Sequence, residues 1–320
     1  MENELPARHS QKVTTESRRT PVIWRISDGR SGHDSQSKGL VKALNLIKPC
    51  DCHDIKLADR KPGLLDLLLK KFPAAKELPD PDMIIGAGHE THLSLLCAKR
   101  ARGGKTIVIM KPGIPANCFD FCFIPEHDAP KMADNIFTTK GAINCIAPST
   151  EQVNDRGLIL VGGPSKHFYW DDEYLLQQLN EILTTHADIN WEISDSPRTP
   201  ETTRDLLAEL QKPNAEYKDC SSKGPAWIAR RLNLAANVWV TMDSVSMVYE
   251  SLTSGAAVGL LDVPTSGTSK ISDNIEGLVE DKMVTPYSRW LSERKLNRPP
   301  VLLNEAKRCA ERLHESGLLH

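Results

Sequence analysis

The stretch of residues 237–262, NVWVTMDSVSMVYESLTSGAAVGLLD, constrains the fold of this chain more than any other segment. Residues 238–241 form a short apolar, β-branched run that is typical of a strand buried on both faces. A polar turn and a helix follow, Gly255 ends the helix, and residues 257–261 predict a second buried strand. Two buried strands joined by a helix are the repeating unit of a parallel sheet. The sequence therefore predicts an α/β domain.

The polar turn of this unit contains Asp243, Ser244 and Ser246 at the predicted start of the helix. A helix start at the carboxyl edge of a parallel sheet presents unpaired N–H groups and a positive dipole end, which suit a phosphate. An aspartate or serine that only caps the helix explains the same residues, and that interpretation stays open. Glu250 favours the phosphate interpretation, because a carboxylate near this edge can accept hydrogen bonds from a ribose diol.

Length and charge limit the class of protein. A chain of 320 residues accommodates two domains, and its net charge of −2 gives no basic field for nucleic acid. The eight cysteines form no CxxC pair, so we expect reduced thiols in a cytoplasmic protein. No apolar run approaches the length of a membrane span, and the N-terminus lacks the apolar region of a signal peptide. Peripheral contact with the cytoplasmic face of the inner membrane stays open.

The first half begins with a polar arm, residues 1–20, which we expect to be disordered. A strand at residues 22–26 runs into the loop SDGRSGHDSQS, and a helix is predicted from Lys38. A glycine-bearing loop between the first strand and the first helix is where doubly wound domains place ligands. His33 in this loop is a candidate general base, since histidine exchanges protons near neutral pH. A histidine that makes a loop hydrogen bond is an equally good interpretation.

A second strand is predicted at residues 53–57, and a third, residues 83–88, ends in a glycine turn that leads into a helix. Gly88, His89 and Thr91 in this turn predict a second helix start that faces a ligand. Further strands at residues 105–110 and 119–124 complete a parallel α/β domain.

The second half repeats this order after a polar segment, residues 147–156, that we interpret as the interdomain linker. The first strand of this half ends in a glycine turn in which Gly163 and Lys166 can bind an anion through backbone N–H groups and charge. The next strand leads to Arg198 and Thr199 before a helix. Thr199 suits the cap of that helix, and Arg198 can pair with a phosphate, although a solvated arginine fits equally well.

No cofactor or metal is predicted. The glycine loops lack the GxGxxG spacing of dinucleotide sites and the GK[ST] of a P-loop. His89 and His92 are three residues apart, unlike the histidines of HExxH, and Asp80 and Asp82 flank a proline in an ordinary loop.

The pattern of two α/β halves with glycine turns at the carboxyl edges resembles the glycosyltransferase B (GT-B) architecture, two Rossmann-like parallel-sheet domains facing a cleft. More narrowly, four segments resemble the elongated-mitochondria (mitochondrial fission) family of plants and its bacterial relatives, which are regarded as glycosyltransferases. These segments are SDGRSGHDSQ at 27–36, MIIGAGHETH at 83–92, SDSPRTPE at 194–201 and VTMDSVSMVYESLTSG at 240–255. The resemblance covers nearly all of residues 21–291.

This resemblance implies roles for individual residues. A donor pocket for a nucleotide-sugar, which we expect to be UDP-linked, would contain the following residues of the second domain: Arg198, Thr199, Asp243, Ser244, Ser246 and Glu250. Gly32 and His33 would face a glycan or lipid-linked acceptor, and His33 or Asp34 would remove the proton from its hydroxyl. Such transferases usually work without a metal, because helix dipoles and cationic side chains neutralise the leaving diphosphate.

We therefore expect a nucleotide-sugar-dependent glycosyltransferase. Its first domain spans residues 21–146 and its second domain 157–291, followed by an extension at 292–320 that ends in a helix. A nucleotide-sugar 2-epimerase of the same architecture stays open, because Glu126, His127 and Asp128 could supply its acid and base groups. A non-catalytic adaptor that keeps the fold for partner binding is the alternative from another class.

Overall fold

The computed structural model describes residues 19–57, 61–265, 267 and 270–319, which form two sheets of six parallel strands. Each sheet separates two buried apolar clusters, so both of its faces are covered. This confirms the predicted α/β fold with two Rossmann-like domains. Most of the predicted disordered arm lies outside the described residues, but Arg19 pairs with Asp82 at 2.9 Å.

In the first domain the strand order is β2-β1-β3-β4-β5-β6, so the direction of winding reverses between β1 and β3. The strands are β1 (Val22–Ser27), β2 (Asp51–Lys56), β3 (Met83–Ala87), β4 (Lys105–Ile109), β5 (Phe121–Pro125) and β6 (Ile136–Thr139). The helices are α1 (Ser31–Ile47), α2 (Leu64–Leu68) and α3 (His92–Arg102).

In the second domain the order is β12-β11-β10-β7-β8-β9, and the winding reverses between β7 and β10. The strands are β7 (Val153–Leu160), β8 (Asn190–Ser194), β9 (Ala215–Lys218), β10 (Ala235–Thr241), β11 (Ala257–Leu261) and β12 (Thr285–Pro286). The helices are α4 (Asp172–Thr185), α5 (Glu201–Ala208), α6 (Pro225–Leu234), α7 (Val245–Ser254), α8 (Lys270–Glu280) and α9 (Tyr287–Glu293). No helix of the described residues is both long and apolar enough to cross a bilayer.

The central strand β10 shows why its sequence is continuously apolar. Side chains alternate between the two faces of a strand, so Val238 and Val240 enter one core while Trp239 enters the other. The Trp239 ring packs edge-on against Trp290, with 5.3 Å between the ring centroids. Both faces of the strand are therefore buried, as the apolar run predicts.

Two local predictions differ from the structure, and two short strands were not predicted. Helix α1 begins at Ser31 rather than at Lys38, because Asp34 N already donates to Arg30 O as the first helical hydrogen bond. Strand β7 begins at Val153, inside the segment predicted as a linker. Strands β6 and β12 were not predicted, since four and two residues carry too little of the period-two pattern to be recognised.

The chain returns to the first domain at its end. The predicted terminal helix is present as α10 (Glu305–Glu315), and its Cys309 and Leu313 share an apolar core with Leu40 and Leu44 of α1. Its first residue, Glu305, accepts a hydrogen bond from Lys140 N at 2.9 Å. The C-terminal segment therefore ties the two domains together.

The junction between the domains requires a glycine in α1. A Cβ atom on Gly39 would lie 2.1 Å from the carbonyl oxygen of Asn144, whose side-chain amide donates to Thr253 Oγ1 of α7 at 3.1 Å. We expect Gly39→Ala to lower the free energy of unfolding by about 2 kcal/mol, because backbone on both sides must shift. Urea unfolding measures this. Gly32→Ala in the same helix is the control, since its Cβ would meet no atom within 4 Å, and an equal loss in both variants would contradict the prediction.

Candidate functional site

The predicted site residues collect at the two points where the winding of the sheets reverses. In open α/β sheets, ligands bind in the crevice outside the carboxyl ends of the strands at this point. In the first domain the segments after β1 and β3 carry His33 and Gly88. In the second domain the segments after β7 and β10 carry Gly163 and Asp243. Residues far apart in the sequence are thus brought to two neighbouring edges.

His33 forms a pair with a buried carboxylate. Its Nδ1 lies 2.7 Å from Oδ2 of Asp28, whose side chain is only 2% exposed. Among the described residues, Nε2 has no hydrogen-bond partner. Gly88, with φ of +80°, makes room for the imidazole, since a Cβ there would lie 2.3 Å from the ring. A carboxylate on one ring nitrogen and an open second nitrogen are the arrangement of a general base.

The sequence interpretation missed Asp28, although it lies five residues before His33 in the same loop motif. The signal was an aspartate and a glycine directly after a strand, because such a turn folds back on the helix that follows. Asp34, the alternative base, has other partners: it accepts from Ser27 Oγ at 2.5 Å and pairs with Arg25 at 2.9 Å. Burial acts to raise the pKa of Asp34, but these two contacts hold it below its ordinary value. The geometry therefore favours His33 over Asp34.

The other residues predicted at this edge differ in exposure. Thr91 is fully buried, and its hydroxyl donates to Gly88 O at 2.8 Å, so it braces the turn rather than facing the crevice. His89 is exposed and lies 3.1 Å from a Glu90 carboxylate oxygen. Gly32 is exposed in the first turn of α1.

Asp243 connects three elements of the second domain. Its Oδ2 accepts from Gly163 N at 3.0 Å and from Arg198 Nη2 at 2.8 Å, and Arg198 Nη1 donates to Gly163 O at 2.9 Å. The Asp243 side chain is fully buried, while that of Arg198 is 44% exposed. The interpretation that Asp243 or Ser244 caps α7 is wrong, because no side chain caps this helix. The Gly163 N–H that was predicted to bind an anion is donated to Asp243.

Thr199 also has an internal role. Its hydroxyl donates to Val161 O at 3.1 Å and accepts from Ser196 N at 2.9 Å, so it fixes the turn after β8 against the end of β7. Helix α5 has Pro200 at its N-cap position, so the prediction that Thr199 caps it is wrong. Lys166 lies exposed after the Gly163 turn.

No side chain caps the N-terminus of α7. Ser244 occupies the N-cap position without a side-chain hydrogen bond to the helix, and Ser246 is exposed in the first turn. Glu250 lies one turn after Ser246, hence on the same face. Among the described residues no hydrogen bond or ion pair reaches the Glu250 carboxylate. Burial raises its pKa to about 7.

Glu250 lies next to the first domain. Burial, and to a smaller extent the nearby Glu250 carboxylate, raise the pKa of the Cys145 thiol. Cys145 Sγ in turn donates to Ser35 O of α1, 3.1 Å away and two residues from His33. The unpartnered carboxylate of one domain therefore approaches the helix of the other domain that carries His33.

A cavity of about 300 Å³ opens between the domains beside α7. The carboxyl end of β5 contributes Glu126 and His127, and α8 contributes Asn274, whose side-chain amide lies 3.2 Å from His127 Nδ1. Tyr249 closes this cavity against Gly141 and donates its hydroxyl proton to Asn274 at 3.1 Å. Two residues suggested for epimerase chemistry thus border the cleft.

One group of potential metal ligands, Asp195, Asp219 and Cys220, is present among the described residues. Asp195 is buried, pairs with Arg204 at 2.7 Å and accepts from Cys220 N at 2.7 Å. Because a guanidinium already neutralises this carboxylate, the group does not fit a metal cation.

We expect Asp243→Ala to lower the free energy of unfolding by about 2 kcal/mol, since it leaves the Gly163 N–H and the Arg198 guanidinium without their acceptor. Urea unfolding of the variant measures the loss. Asp205→Ala, which removes an exposed carboxylate of α5, is the control, and a loss no larger than in the control would contradict this account.

Comparisons with known proteins agree with this architecture. An uncharacterized protein of Rickettsia prowazekii (strain Madrid E) is 26% identical over 351 residues, covering 90% of this chain and 96% of that protein. The structure of a Listeria monocytogenes protein assigned as a UDP-N-acetylglucosamine 2-epimerase aligns with a TM-score of 0.58 at 12% identity, over 93% of this chain and 97% of the other. The UDP-GlcNAc 2-epimerase of Neisseria meningitidis, bound to UDP-GlcNAc, aligns with a TM-score of 0.53 at 12% identity, over 92% and 100%.

At these identities the structural matches establish the fold alone, and they confirm the GT-B architecture of two Rossmann-like domains. The sequence comparison is more specific, because residues 31–316 match the family described as Mitochondrial fission ELM1. This match runs from the start of α1 in the first domain through the second domain and α10. The chain therefore belongs to the Mitochondrial fission ELM1 family.

Proposed function

We propose that this chain is a glycosyltransferase that moves a sugar from a nucleotide-sugar, UDP-linked in our expectation, to a glycan or lipid-linked acceptor without a metal. The observation that carries the proposal is the approach of two complementary groups across the cleft. One is the His33–Asp28 pair of the first domain, and the other is the open start of α7 with Glu250 in the second. Each lies where its own sheet reverses its winding.

The donor would lie along α7. Its diphosphate would accept hydrogen bonds from the first-turn N–H groups and from the exposed Ser246 hydroxyl, at the positive end of the helix dipole. Glu250, one turn further, would accept hydrogen bonds from the ribose hydroxyls. The ribose would thus supply partners for a carboxylate that has none among the described residues. Arg198 is held by Asp243 but remains 44% exposed, so it can face the diphosphate while its position stays fixed.

The acceptor would lie against α1. His33 Nε2 would take the proton of the acceptor hydroxyl while Asp28 stabilises the imidazolium. The acceptor oxygen would form a bond to the anomeric carbon of the sugar, and the bond from that carbon to the diphosphate would break. The diphosphate would leave with the bonding electrons, and the start of α7 and Arg198 would stabilise its charge.

A nucleotide-sugar 2-epimerase is the second candidate. It is favoured by the interdomain cavity beside α7, where Glu126 and His127 offer acid and base groups. The epimerases among the structural neighbours share the fold.

Product analysis separates these functions. The protein is incubated with a panel of nucleotide-sugars in D₂O, with and without membrane lipid extract as a source of acceptors. A transferase releases nucleoside diphosphate and does so faster with the extract, whereas an epimerase forms a C2 isomer that carries deuterium. An intact panel under all conditions would overturn both enzyme proposals in favour of an adaptor.

A further inference from the structure

Helix α2 exposes an apolar face that the proposed chemistry does not use. The side chains of Leu64, Leu65, Leu68 and Leu69 are 60–72% exposed, and their spacing places them on one side of the helix. The opposite side faces the domain: Asp66 is buried, and Leu67 packs against the apolar cluster that contains Trp24 and Phe72. We call these four leucines the α2 patch. A contiguous exposed apolar face on a soluble domain marks an interaction surface.

The charges around the α2 patch are positive. Residues 61–76 contain four lysines and one aspartate, a net charge of +3 in a chain whose net charge is −2. Lys70 and Lys71 are exposed, whereas the single aspartate is buried. An apolar face bordered by lysines fits the interface of an anionic lipid bilayer, where leucines enter the acyl region and lysines stay among the headgroups.

A second copy of the chain fits this surface less well. A two-fold symmetric contact through the α2 patch would bring the lysines of both copies together, and like charges at an interface are unfavourable. An anionic bilayer instead orients the molecule. It attracts the positively charged segment 61–76, whereas the chain as a whole carries a negative net charge.

The α2 patch lies near the candidate base. Lys61, just before α2, forms an ion pair with Glu90, and Glu90 follows the glycine turn that receives the His33 ring. A lipid-linked molecule held in the bilayer under α2 would therefore present its headgroup beside His33.

We propose that the α2 patch docks the protein onto an anionic membrane. The further step, that docking delivers a lipid-linked acceptor to His33, rests on the proposed function, whereas docking itself does not.

Vesicle flotation tests the docking. Wild-type protein should float with phosphatidylcholine vesicles that contain phosphatidylglycerol and should dissociate as salt is raised. Leu65→Ser/Leu68→Ser should bind at least about tenfold more weakly, because two leucines no longer enter the bilayer. The control is Leu46→Ser/Met132→Ser, which removes two apolar side chains that are 79% and 78% exposed elsewhere. Lys70→Glu/Lys71→Glu tests the charges with the leucines intact, and it should also bind more weakly.

Wild-type protein that stays unbound at low salt, or a control variant that loses as much binding as the leucine variant, would overturn the proposal. Equal binding to vesicles with and without phosphatidylglycerol would overturn the assignment to an anionic surface. A dimer in sedimentation velocity that the leucine variant abolishes would assign the patch to a second copy instead. The leucine variant should keep the wild-type thermal response to nucleotide-sugars, so a failure of docking is separable from a failure of the proposed function.

Discussion

Replacing His33 by glutamine should lower the rate of sugar transfer by about 10²- to 10⁴-fold while donor binding stays unchanged. Its Nε2 is the open nitrogen of an imidazole that Asp28 holds at 2.7 Å, so removal of the ring removes both the proton acceptor and its orientation. The donor contacts lie in the other domain, which is why affinity should not change. The measurement is the release of nucleoside diphosphate in the presence of acceptor, with donor affinity determined by calorimetry.

Two further variants separate catalysis from folding. Asp28→Asn should lower the rate with little change in donor affinity, because the amide no longer stabilises an imidazolium. His53→Gln is the matched control, since His53 also lies beside an aspartate, Asp51, at 3.1 Å, but on the edge strand β2. A His33→Gln rate within a few-fold of the His53→Gln rate would exclude His33 as the base.

Glu250→Gln should stabilise the protein at pH 8 by on the order of 3 kcal/mol while leaving its stability near pH 4.5 almost unchanged. Burial raises the pKa of Glu250 from 4.5 to about 7, so the folded chain holds this proton more tightly than the unfolded chain. The associated stability is present below about pH 4.5 and is lost as the pH rises to about 7. Glutamine stays neutral and avoids that loss. Urea unfolding at both pH values measures the difference.

Glu276→Gln, on the exposed side of α8, is the control for loss of one negative charge in the same domain. A Glu250→Gln difference that is the same at both pH values would show that the carboxylate is not destabilised by burial. A carboxylate that weakens the fold when ionised does not serve stability, and the role proposed for it is the contact with the ribose.

The sequence predicts the larger elements well, because their apolar runs and turn residues agree with each other. Strand β11 has the predicted bounds, and α7 ends at Gly255 in a left-handed conformation that glycine favours. The start of α1 was predicted seven residues late, because SDGRSGHD contains residues that are typical of turns as well as of first helical turns.

The order of the strands is not contained in such local patterns. The contact of the His33 ring with Gly88 depends on β1 lying beside β3, and the contact of Gly163 with Asp243 depends on β7 lying beside β10. The sequence analysis identified each of these residues as a candidate site residue, but it could not show which of them are in contact.

Several polar residues that were predicted to contact a ligand instead form hydrogen bonds within the chain, for the same reason. A hydroxyl or N–H group at a turn can form a hydrogen bond with a ligand or with another part of the chain. The sequence alone does not show which partner it has. Thr91 and Thr199 donate to backbone carbonyls, and the Gly163 N–H is donated to Asp243. The side chains of Ser246 and Glu250 in α7, by contrast, have no hydrogen bond within the described part of the chain.

The most direct test of the central claim is a thermal-shift panel of nucleoside diphosphates and nucleotide-sugars on wild-type protein and Glu250→Ala. A ligand at ~100 times its dissociation constant adds ~2.7 kcal/mol of stability, which is visible as a raised melting temperature. We predict that one nucleotide and its sugar conjugate stabilise the wild type and not the variant. Equal shifts in both proteins, or none at millimolar ligand, would contradict a donor site at α7.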